Sequence, residues 1–248
     1  MSVDKSELEA KAPEKEDKKT QKKPLITDKR IEIAVAALLG LTALLSAWAT
    51  WIGSLHGGIQ SINFTKSNNY ASNATATYNS TVQLYLSDLM TWNTVSDYQL
   101  KAKVARVDGK KKEAEIYEEK ADSFLKQNSS EILLDAIGKM DESMNSPFEV
   151  EGIREKYIAE AEKLYADSIN HLEEGKRDNS KGDAYNLVEV IYSIVLFLLG
   201  IVGVLKDRTS RVMILLISII GIAITTIYMC TIPLPTGFNI FNYFGILK

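Results

Sequence analysis

The feature that most constrains this chain is a stretch without any charge, Ile33 to Leu55, which reads IAVAALLGLTALLSAWATWIGSL. A helix needs about 20 apolar residues to cross the hydrocarbon core of a bilayer, and this stretch is long enough. Two further apolar runs follow near the C-terminus, Leu187 to Leu205 and Val212 to Ile232. The sequence therefore predicts three membrane-spanning helices.

Outside these runs the chain is polar, so the mean hydropathy of -0.07 averages two very different kinds of segment. Acidic residues outnumber basic ones between residues 56 and 185, and the whole chain has a net charge of -3. Because nucleic-acid binding depends mainly on neutralising phosphate charge, this acidic section argues against a nucleic-acid partner. The single cysteine, Cys230, excludes an internal disulfide, and we expect it to lie as a small apolar residue in the third span.

Positive charge predicts the orientation of the spans. A lysine-rich segment precedes the first span, and the basic turn KDRTSR separates the second span from the third. Basic segments next to spans stay in the cytoplasm, so both predict a cytoplasmic N-terminus in a plasma-membrane protein. The first run is longer than the core of a secretory signal and lacks a clean A-x-A cleavage site, which favours an uncleaved signal anchor.

These patterns divide the chain into segments with distinct roles. In order, they are a disordered basic cytoplasmic tail (1–30), the first transmembrane helix (31–55), an extracytoplasmic helical domain (56–185), the second transmembrane helix (186–205), a cytoplasmic loop (206–211), the third transmembrane helix (212–232) and a short outer C-terminal tail (233–248). The first tail is too polar to bury much surface. The aromatic sequence FNIFNYF in the last tail is expected to lie along the membrane surface.

The segment between the first two spans is predicted to be helical. Five apolar residues recur at alternating spacings of four and three, which is typical of one packed helix face: Tyr78, Val82, Tyr85, Leu89 and Trp92. The Asn/Thr-rich patch from Asn63 to Thr81 contains poor helix formers and predicts a bend. The expected fold class is all-α: three transmembrane helices with a coiled-coil-like or bundle insertion between the first and second.

Breaks and starts within this insertion can also be predicted. Asp108-Gly109 and Asn128–Ser130 should interrupt the helices, and a short helix should follow from Glu131 to Met144. The sequence Ser146-Pro147-Phe148-Glu149 has the order of a capping box and predicts that the last helix of the insertion begins there. That helix is expected to loosen between Gly175 and Gly182, before the second span.

The sequence contains no recognisable catalytic or metal-binding motif. The two histidines, His56 and His171, have no metal-ligand spacing, and no hydrolase, phosphate-binding-loop or dinucleotide motif is present. His56 borders the first span and is interpreted as a polar interface residue. We therefore predict no catalytic residues, no cofactor and no metal. Glu32 and Glu189 are the carboxylates nearest the membrane, and their place near span ends favours the membrane edge over the hydrocarbon core.

Small residues form a possible helix-packing surface in the spans. At four and three spacing in the first span they are Ala36, Gly40, Ala43 and Ala47, and the second span adds Gly200 and Gly203. Small side chains let membrane helices approach closely. Packing within the three spans and contact with another copy of the chain both agree with this pattern.

The layout resembles a family of small uncharacterised prokaryotic three-pass membrane proteins, which carry a domain of unknown function. The similar features are the lysine-rich tail, the sequence AWATW at the end of the first span, the turn-out Gly58-Ile59-Gln60, and the junction EGKRDNSKGDAYNLVEVIY. The resemblance implies the topology and no activity. It also implies that the junction residues Asn179, Gly182, Asp183 and Tyr185 turn the ectodomain helix into the second span.

Together these features favour a non-enzymatic membrane protein that displays a helical ectodomain as a scaffold, interaction or sensing module. The lipid bilayer is its expected partner, with a second copy or a larger membrane complex as a possible further one. The alternative is one subunit of an oligomeric channel or transporter, since the spans have too few polar residues to line a pore alone.

Overall fold

The computed structural model describes residues 28–240 of the chain. Five α-helices and one short 3-10 turn make up this part: α1 (Asp28–Val107), α2 (Lys111–Asn128), α3 (Glu131–Ile137), the turn Pro147–Glu149, α4 (Ile153–Val204) and α5 (Arg208–Thr231). The all-α fold class is therefore confirmed. The predictions for the basic tail before Asp28 and for the last residues of the aromatic tail fall outside the described residues.

Helix α1 is a single unbroken helix of 80 residues. At 1.5 Å per residue it is about 120 Å long. The Asn/Thr-rich patch, where the sequence predicts a bend, does not interrupt α1, and threonine hydroxyls there bond to backbone carbonyls one turn earlier. Thr65 donates to the carbonyl of Ser61 at 2.8 Å and Thr75 to that of Ala71 at 3.0 Å. Packing against α4 then outweighs the weak helix propensity of these residues.

The predicted break after α1 is present, and α2 folds back along the end of α1. Gly109 has a φ of 78°, a left-handed conformation that glycine adopts without a steric penalty. The amide of Lys110 donates to the carbonyl of Ala105 at 2.9 Å, which satisfies one of the last carbonyls of α1. The chain therefore reverses within a few residues, and α2 packs antiparallel along the last part of α1, at the end distant from the apolar runs.

The start of α4 differs from the prediction. Ser146 caps only the 3-10 turn, where its hydroxyl accepts from the amide of Phe148 at 3.3 Å. Helix α4 begins at Ile153, after Gly152 at a φ of 74°. The predicted short helix from Glu131 also ends early, at Ile137. The predicted cap is present, but Ser146 caps the 3-10 turn that precedes α4 and does not cap α4 itself.

Helix α4 continues without interruption into the second apolar run, so the predicted loosening between Gly175 and Gly182 is wrong. The junction residues Asn179 and Tyr185 are both helical, and the chain makes no turn there. As a result, α1 and α4 lie antiparallel over most of the length of α4. Each of these two helices has a polar part at one end and an apolar run at the other.

Several glycines lie at the contact between α1 and α4. A Cβ atom on Gly175 would lie 2.4 Å from Cδ1 of Phe64, and one on Gly53 would lie 3.2 Å from Cβ of Tyr185. A Cβ on Gly182 would lie 3.6 Å from the carbonyl oxygen of Gly53. These residues therefore act as contact positions between two helices, and they do not break the helix in which they lie.

Helices α1, α4 and α5 are each long and apolar enough to cross a membrane. Their apolar segments pack side by side in three buried clusters. Those clusters centre on Ile31, Val35 and Val202 at the end distant from the hairpin, on Val195, Leu199 and Ile222 in the middle, and on Ile52, Val188 and Tyr192 near the hairpin. We call this part the span bundle. The part of α1 and α4 beyond it, together with α2 and α3, is the hairpin.

Candidate functional site

The most unusual polar cluster lies where the span bundle meets the hairpin. His56 of α1 is fully buried there, with 0% of its surface exposed. Its Nδ1 atom is 2.9 Å from Oδ1 of Asp178 on α4, and its Nε2 atom is 3.1 Å from the carbonyl oxygen of Pro233, which follows α5. One side chain therefore ties together all three chain segments that leave the span bundle on the hairpin side. We call this cluster the clasp.

The partners of His56 constrain its protonation. A carboxylate and a carbonyl oxygen accept hydrogen bonds and cannot donate them. Both bonds can therefore form together only when both imidazole nitrogens carry a proton, or when Asp178 is itself protonated. Nζ of Lys181 lies 3.6 Å from the same Oδ1 atom of Asp178. Thus the buried carboxylate of the clasp is surrounded by hydrogen-bond and charge partners, as a buried charge requires.

Close helix packing places the clasp. Gly53 lies three residues before His56 and Gly182 four residues after Asp178, and both glycines sit at the contact between α1 and α4. The ring of Tyr185 stacks on His56 with centroids 5.9 Å apart, and its hydroxyl donates to the carbonyl of Ile232 at 3.3 Å. The apolar cluster around Ile52 and Val188 lies directly beneath. Packed apolar groups therefore cover the imidazole on the side that faces the span bundle.

A cavity of about 350 Å³ lies beside the clasp. Its walls come from α1, from α4 and from the segment after α5: Ile59, Asn63, Glu174, Arg177, Asp178, Lys181 and Thr236. Asn63 is 8% exposed, and its amide has no hydrogen-bond partner among residues 28–240. The amide is not among the enclosed polar atoms that lack a partner, so it is open to the cavity.

Three aromatic rings lie next to the clasp at the level of the span end. Trp48 and Trp51 contact each other at 5.4 Å between centroids, and Phe238 packs on both, at 6.1 and 5.8 Å. Tryptophan is favoured at the boundary between hydrocarbon and water. The segment after α5 is therefore held against α1 by aromatic contacts as well as by the hydrogen bond of His56 to Pro233.

A second buried carboxylate, Asp88, lies further along the hairpin. It accepts hydrogen bonds from the amide of Ser130 at 3.0 Å, from the hydroxyl of Ser130, and from the hydroxyl of Tyr157 at 2.7 Å. Ser130 in turn caps α3 by accepting from the amide of Leu133. Burial raises the pKa of the Tyr157 hydroxyl, and the bond to Asp88 raises it further. Tyr157 therefore stays a hydrogen-bond donor at ordinary pH. We call this cluster the distal joint.

The predicted packing stripe does not pack within the chain. All six of its residues are exposed: Ala36, Gly40, Ala43, Ala47, Gly200 and Gly203. A Cβ atom placed on any of the three glycines would meet nothing within 4 Å. Packing of the stripe within the three spans is therefore wrong, and the small residues face outward from the span bundle. The buried positions of the first span include Thr42, Ala49 and Gly53 instead.

The two predicted membrane-edge carboxylates lie far from each other. Glu32 is exposed at the end of the span bundle opposite the hairpin, where Oε1 is 3.8 Å from Nη2 of Arg211. Arg211 also donates to the carbonyl of Val202 at 3.2 Å, so it links α5 to α4. Glu189 is half-buried on α4, next to Val188 of the hairpin-side cluster. Neither belongs to the clasp.

The sequence interpretation missed the clasp because its residues are far apart in the chain. The sequence predicts His56 as a polar interface residue, whereas the structure buries it completely. One signal was present: His56 directly follows the first span and Asp178 shortly precedes the second, so antiparallel helices bring them to the same height. Among residues 28–240, no group of three His, Cys, Asp or Glu side chains could hold a metal ion.

Comparisons with known proteins do not supply a relative, since no family model, no curated protein and no solved structure matches the chain.

Proposed function

We propose that this protein is a non-enzymatic membrane scaffold, which anchors a long helical hairpin to the bilayer and displays it for interaction or sensing. The anchor consists of the apolar parts of α1, α4 and α5, each long enough to cross a membrane. The three-pass topology agrees with the uncharacterised prokaryotic family that the sequence resembles. Membership of that family is part of the proposal.

One observation carries the proposal. The two helices that build the hairpin, α1 and α4, continue without a break into two of the spans. No linker separates the displayed part from the anchored part, so a movement of the hairpin is transmitted directly to the span bundle. At 1.5 Å per residue, the part of α1 beyond His56 extends roughly 75 Å from the span bundle.

The proposed orientation places the hairpin outside the cytoplasm. The loop between α4 and α5 contains Lys206, Arg208 and Arg211, and basic loops of this kind stay inside. The hairpin lies at the opposite end of the spans, where charged residues of both signs are mixed. The plasma membrane is the compartment we propose.

Site-directed labelling tests this orientation. The native Cys230 is first replaced by serine, and a single cysteine is then introduced at Lys126 on the hairpin or at Lys206 in the turn. A membrane-impermeant maleimide applied to intact cells should label the cysteine at 126 and leave the one at 206 unlabelled until the cells are opened. The reverse pattern would refute the proposed orientation.

The mass of the purified protein in detergent separates the scaffold from its alternative. The chain has a mass of 27.6 kDa. We expect a monomer or a small defined oligomer after subtraction of the detergent. A closed ring of several copies would instead favour a channel or transporter subunit, because only several copies together could line a pore.

A further inference from the structure

The middle of the hairpin has two flanks of different chemistry. The residues of α4 that face α1 in this section recur at four and three spacing: Tyr157, Ala161, Leu164 and Ser168. A helix turns about 100° per residue, so the residues directly after them lie on one flank and those directly before them on the other. The flank after them is mostly apolar: Ile158, Glu162, Tyr165 and Ile169. The flank before them is charged at every position: Lys156, Glu160, Lys163 and Asp167.

The apolar flank of α4 joins an apolar row on α1. Two adjoining grooves of about 320 and 300 Å³ run between the helices on this side, and Tyr78 and Ile158 line both. Six large side chains of this face are 36 to 59% exposed: Tyr78, Val82, Leu86, Tyr165, Ile169 and Leu172. Helix α2 packs further out along α1, and α5 ends at Thr231 in the span bundle. The apolar face of this two-helix section is therefore left open by the described helices.

The row on α1 continues into the first span. Steps of four and three lead back from Val82 and Tyr78 to Ala47, Ala43 and Gly40, the outward small residues of the span bundle, and no position on the way carries a charge. The buried residues of α1 keep the same period of seven: Val35, Thr42, Ala49, His56 and Asn63. Because both rows follow one period, the outward row stays at a constant angle to the contact with α4, as in a coiled coil.

The length of this row restricts its partner. Gly40 and Val82 are 42 residues apart, which corresponds to about 63 Å of helix. A partner that follows the row must cross the membrane and continue beyond it as straight helices. Helices α1 and α4 have this property themselves, since each runs without a break from an apolar span into the hairpin. We propose that the apolar face of the hairpin binds the same face of a second copy of this chain, with the small-residue row of the first span on the same side.

Two copies inserted in one bilayer in the same direction are related by a two-fold axis along the membrane normal. This axis places α1 of each copy beside α4 of the other, antiparallel and at the same height, so the hairpins form a four-helix bundle. The six exposed side chains offer roughly 500 Å² per copy. The contact then buries roughly 1,000 Å² before the spans are counted, which is about the size that a specific interface requires. Because both copies use the same face, assembly stops at the dimer.

Cross-linking in isolated membranes tests the face directly. In a Cys230→Ser background, Thr75→Cys places a thiol in the groove, and Asn73→Cys places one on the opposite flank of α1 in the same turn. Both positions are exposed and both native side chains are small and polar, so neither change removes an apolar contact. A short bismaleimide should link two copies through position 75 and not through position 73. Cross-linking at neither position, or equally at both, would overturn the proposal.

A matched pair of leucines tests the energetics. Leu86 lines the groove and is 51% exposed, whereas Leu84 is 42% exposed on the other flank of α1. A two-fold contact contains each residue twice, so Leu86→Ser should weaken association at least about tenfold, while Leu84→Ser should leave it unchanged. Sedimentation equilibrium in a density-matched detergent measures it, with circular dichroism to show that both variants keep their helix content. Equal effects of the two variants would overturn the assignment of the face, as would a wild-type protein that is monomeric at every concentration.

This inference goes beyond the proposed scaffold function but rests on its membrane anchoring, and the two can fail separately. A protein that stays soluble without detergent would refute the membrane scaffold. A protein that requires detergent, but whose cross-linking does not distinguish positions 75 and 73, would refute the dimer face alone.

Discussion

The hairpin contains two buried carboxylates, and their surroundings differ. Asp88 at the distal joint accepts its hydrogen bonds from neutral donors, the amide and hydroxyl of Ser130 and the hydroxyl of Tyr157. Asp178 at the clasp has His56 and Lys181 as partners instead. The donors at the distal joint are neutral groups, whereas the partners at the clasp are a histidine and a lysine, and the clasp borders an open cavity.

The two clusters also hold different parts of the chain together. α1 packs mainly on α4 before the distal joint and on α2 after it. At the joint, Asp88 of α1 is bonded to Ser130, the residue directly before α3. At the clasp, His56 links α1 to α4 and to the segment after α5. The joint is thus a local fastening within the hairpin, and the clasp connects the hairpin to the span bundle. Replacing single residues can test this distinction.

The largest effect is expected at the distal joint. Asp88→Ala removes the acceptor of three hydrogen bonds, leaves the half-buried amide of Ser130 without its partner, and leaves the Tyr157 hydroxyl only Ser130 to bond with. Each unsatisfied buried group costs about 1–3 kcal/mol, so we expect a loss of roughly 3 kcal/mol or more. Denaturant unfolding in detergent, followed by circular dichroism, measures it.

The matched control for this change is Asp97→Ala. Asp97 lies on the same helix but is exposed, with its partner Lys101 one turn away. Its replacement should leave the unfolding midpoint unchanged, because exposed pairs contribute little. Equal destabilisation by the two variants would mean that Asp88 is not a fastening point.

A smaller loss is expected at the clasp. His56→Leu leaves Asp178 buried with Lys181 as its remaining partner, and we expect a loss of about 2–3 kcal/mol, toward the low end for a broken buried pair. The double variant His56→Leu/Asp178→Leu should recover part of this loss, because the uncompensated charge is gone. A double-mutant cycle measures the coupling between the two side chains.

His171→Leu serves as the control for the clasp. His171 also stacks on a tyrosine, with its ring 5.4 Å from that of Tyr70, but it does not connect the hairpin to the span bundle. Its replacement should show no coupling to Asp178. If the cycle gave His171 and His56 the same coupling energy, the clasp would have no special role in joining the two regions.

Hydrophobic pattern and charge predicted the helical class, the three apolar helices and the breaks near Gly109 and Ser129. They did not predict which helix faces pack. In the first span nearly every residue is apolar, so no polar face distinguishes the buried Ala49 from the exposed Ala47. The sequence therefore leaves open whether the small-residue stripe packs within the chain or faces outward.

Along the hairpin, pattern alone was also insufficient. Tyr78 and Val82 belong to the predicted stripe but are exposed, whereas the polar Asp88 and Thr91 are buried. Burial there follows specific hydrogen bonds, such as that from Tyr157 to Asp88, and a hydrophobicity pattern contains no information about them. The weak helix propensity of the Asn/Thr-rich patch was likewise outweighed by the packing of α4 along it.

The next two predictions concern two glycines: Gly175, which is packed against Phe64, and Gly40, which faces outward. Gly175→Ala would put a Cβ atom 2.4 Å from the ring of Phe64, so the ring must move. Overpacking costs about 1–3 kcal/mol and the gain in helix propensity returns about 1 kcal/mol, so we expect a net loss near 1 kcal/mol. Unfolding midpoints measure it. In a Phe64→Ala background, Gly175→Ala should cause no further loss relative to Phe64→Ala alone; the same loss in both backgrounds would mean that the ring of Phe64 does not contact Gly175.

The smallest effect is expected on the outward face of the span bundle. Gly40→Leu introduces a large side chain where a Cβ atom would meet nothing within 4 Å, so the unfolding midpoint should not fall. A fall would place Gly40 inside the span bundle, contrary to the structure.

The same variant shows what the stripe contacts. If the mass in detergent is unchanged, the stripe faces lipid. If a wild-type oligomer separates into monomers while the midpoint is retained, the small residues hold two copies together, because close approach of membrane helices requires small side chains.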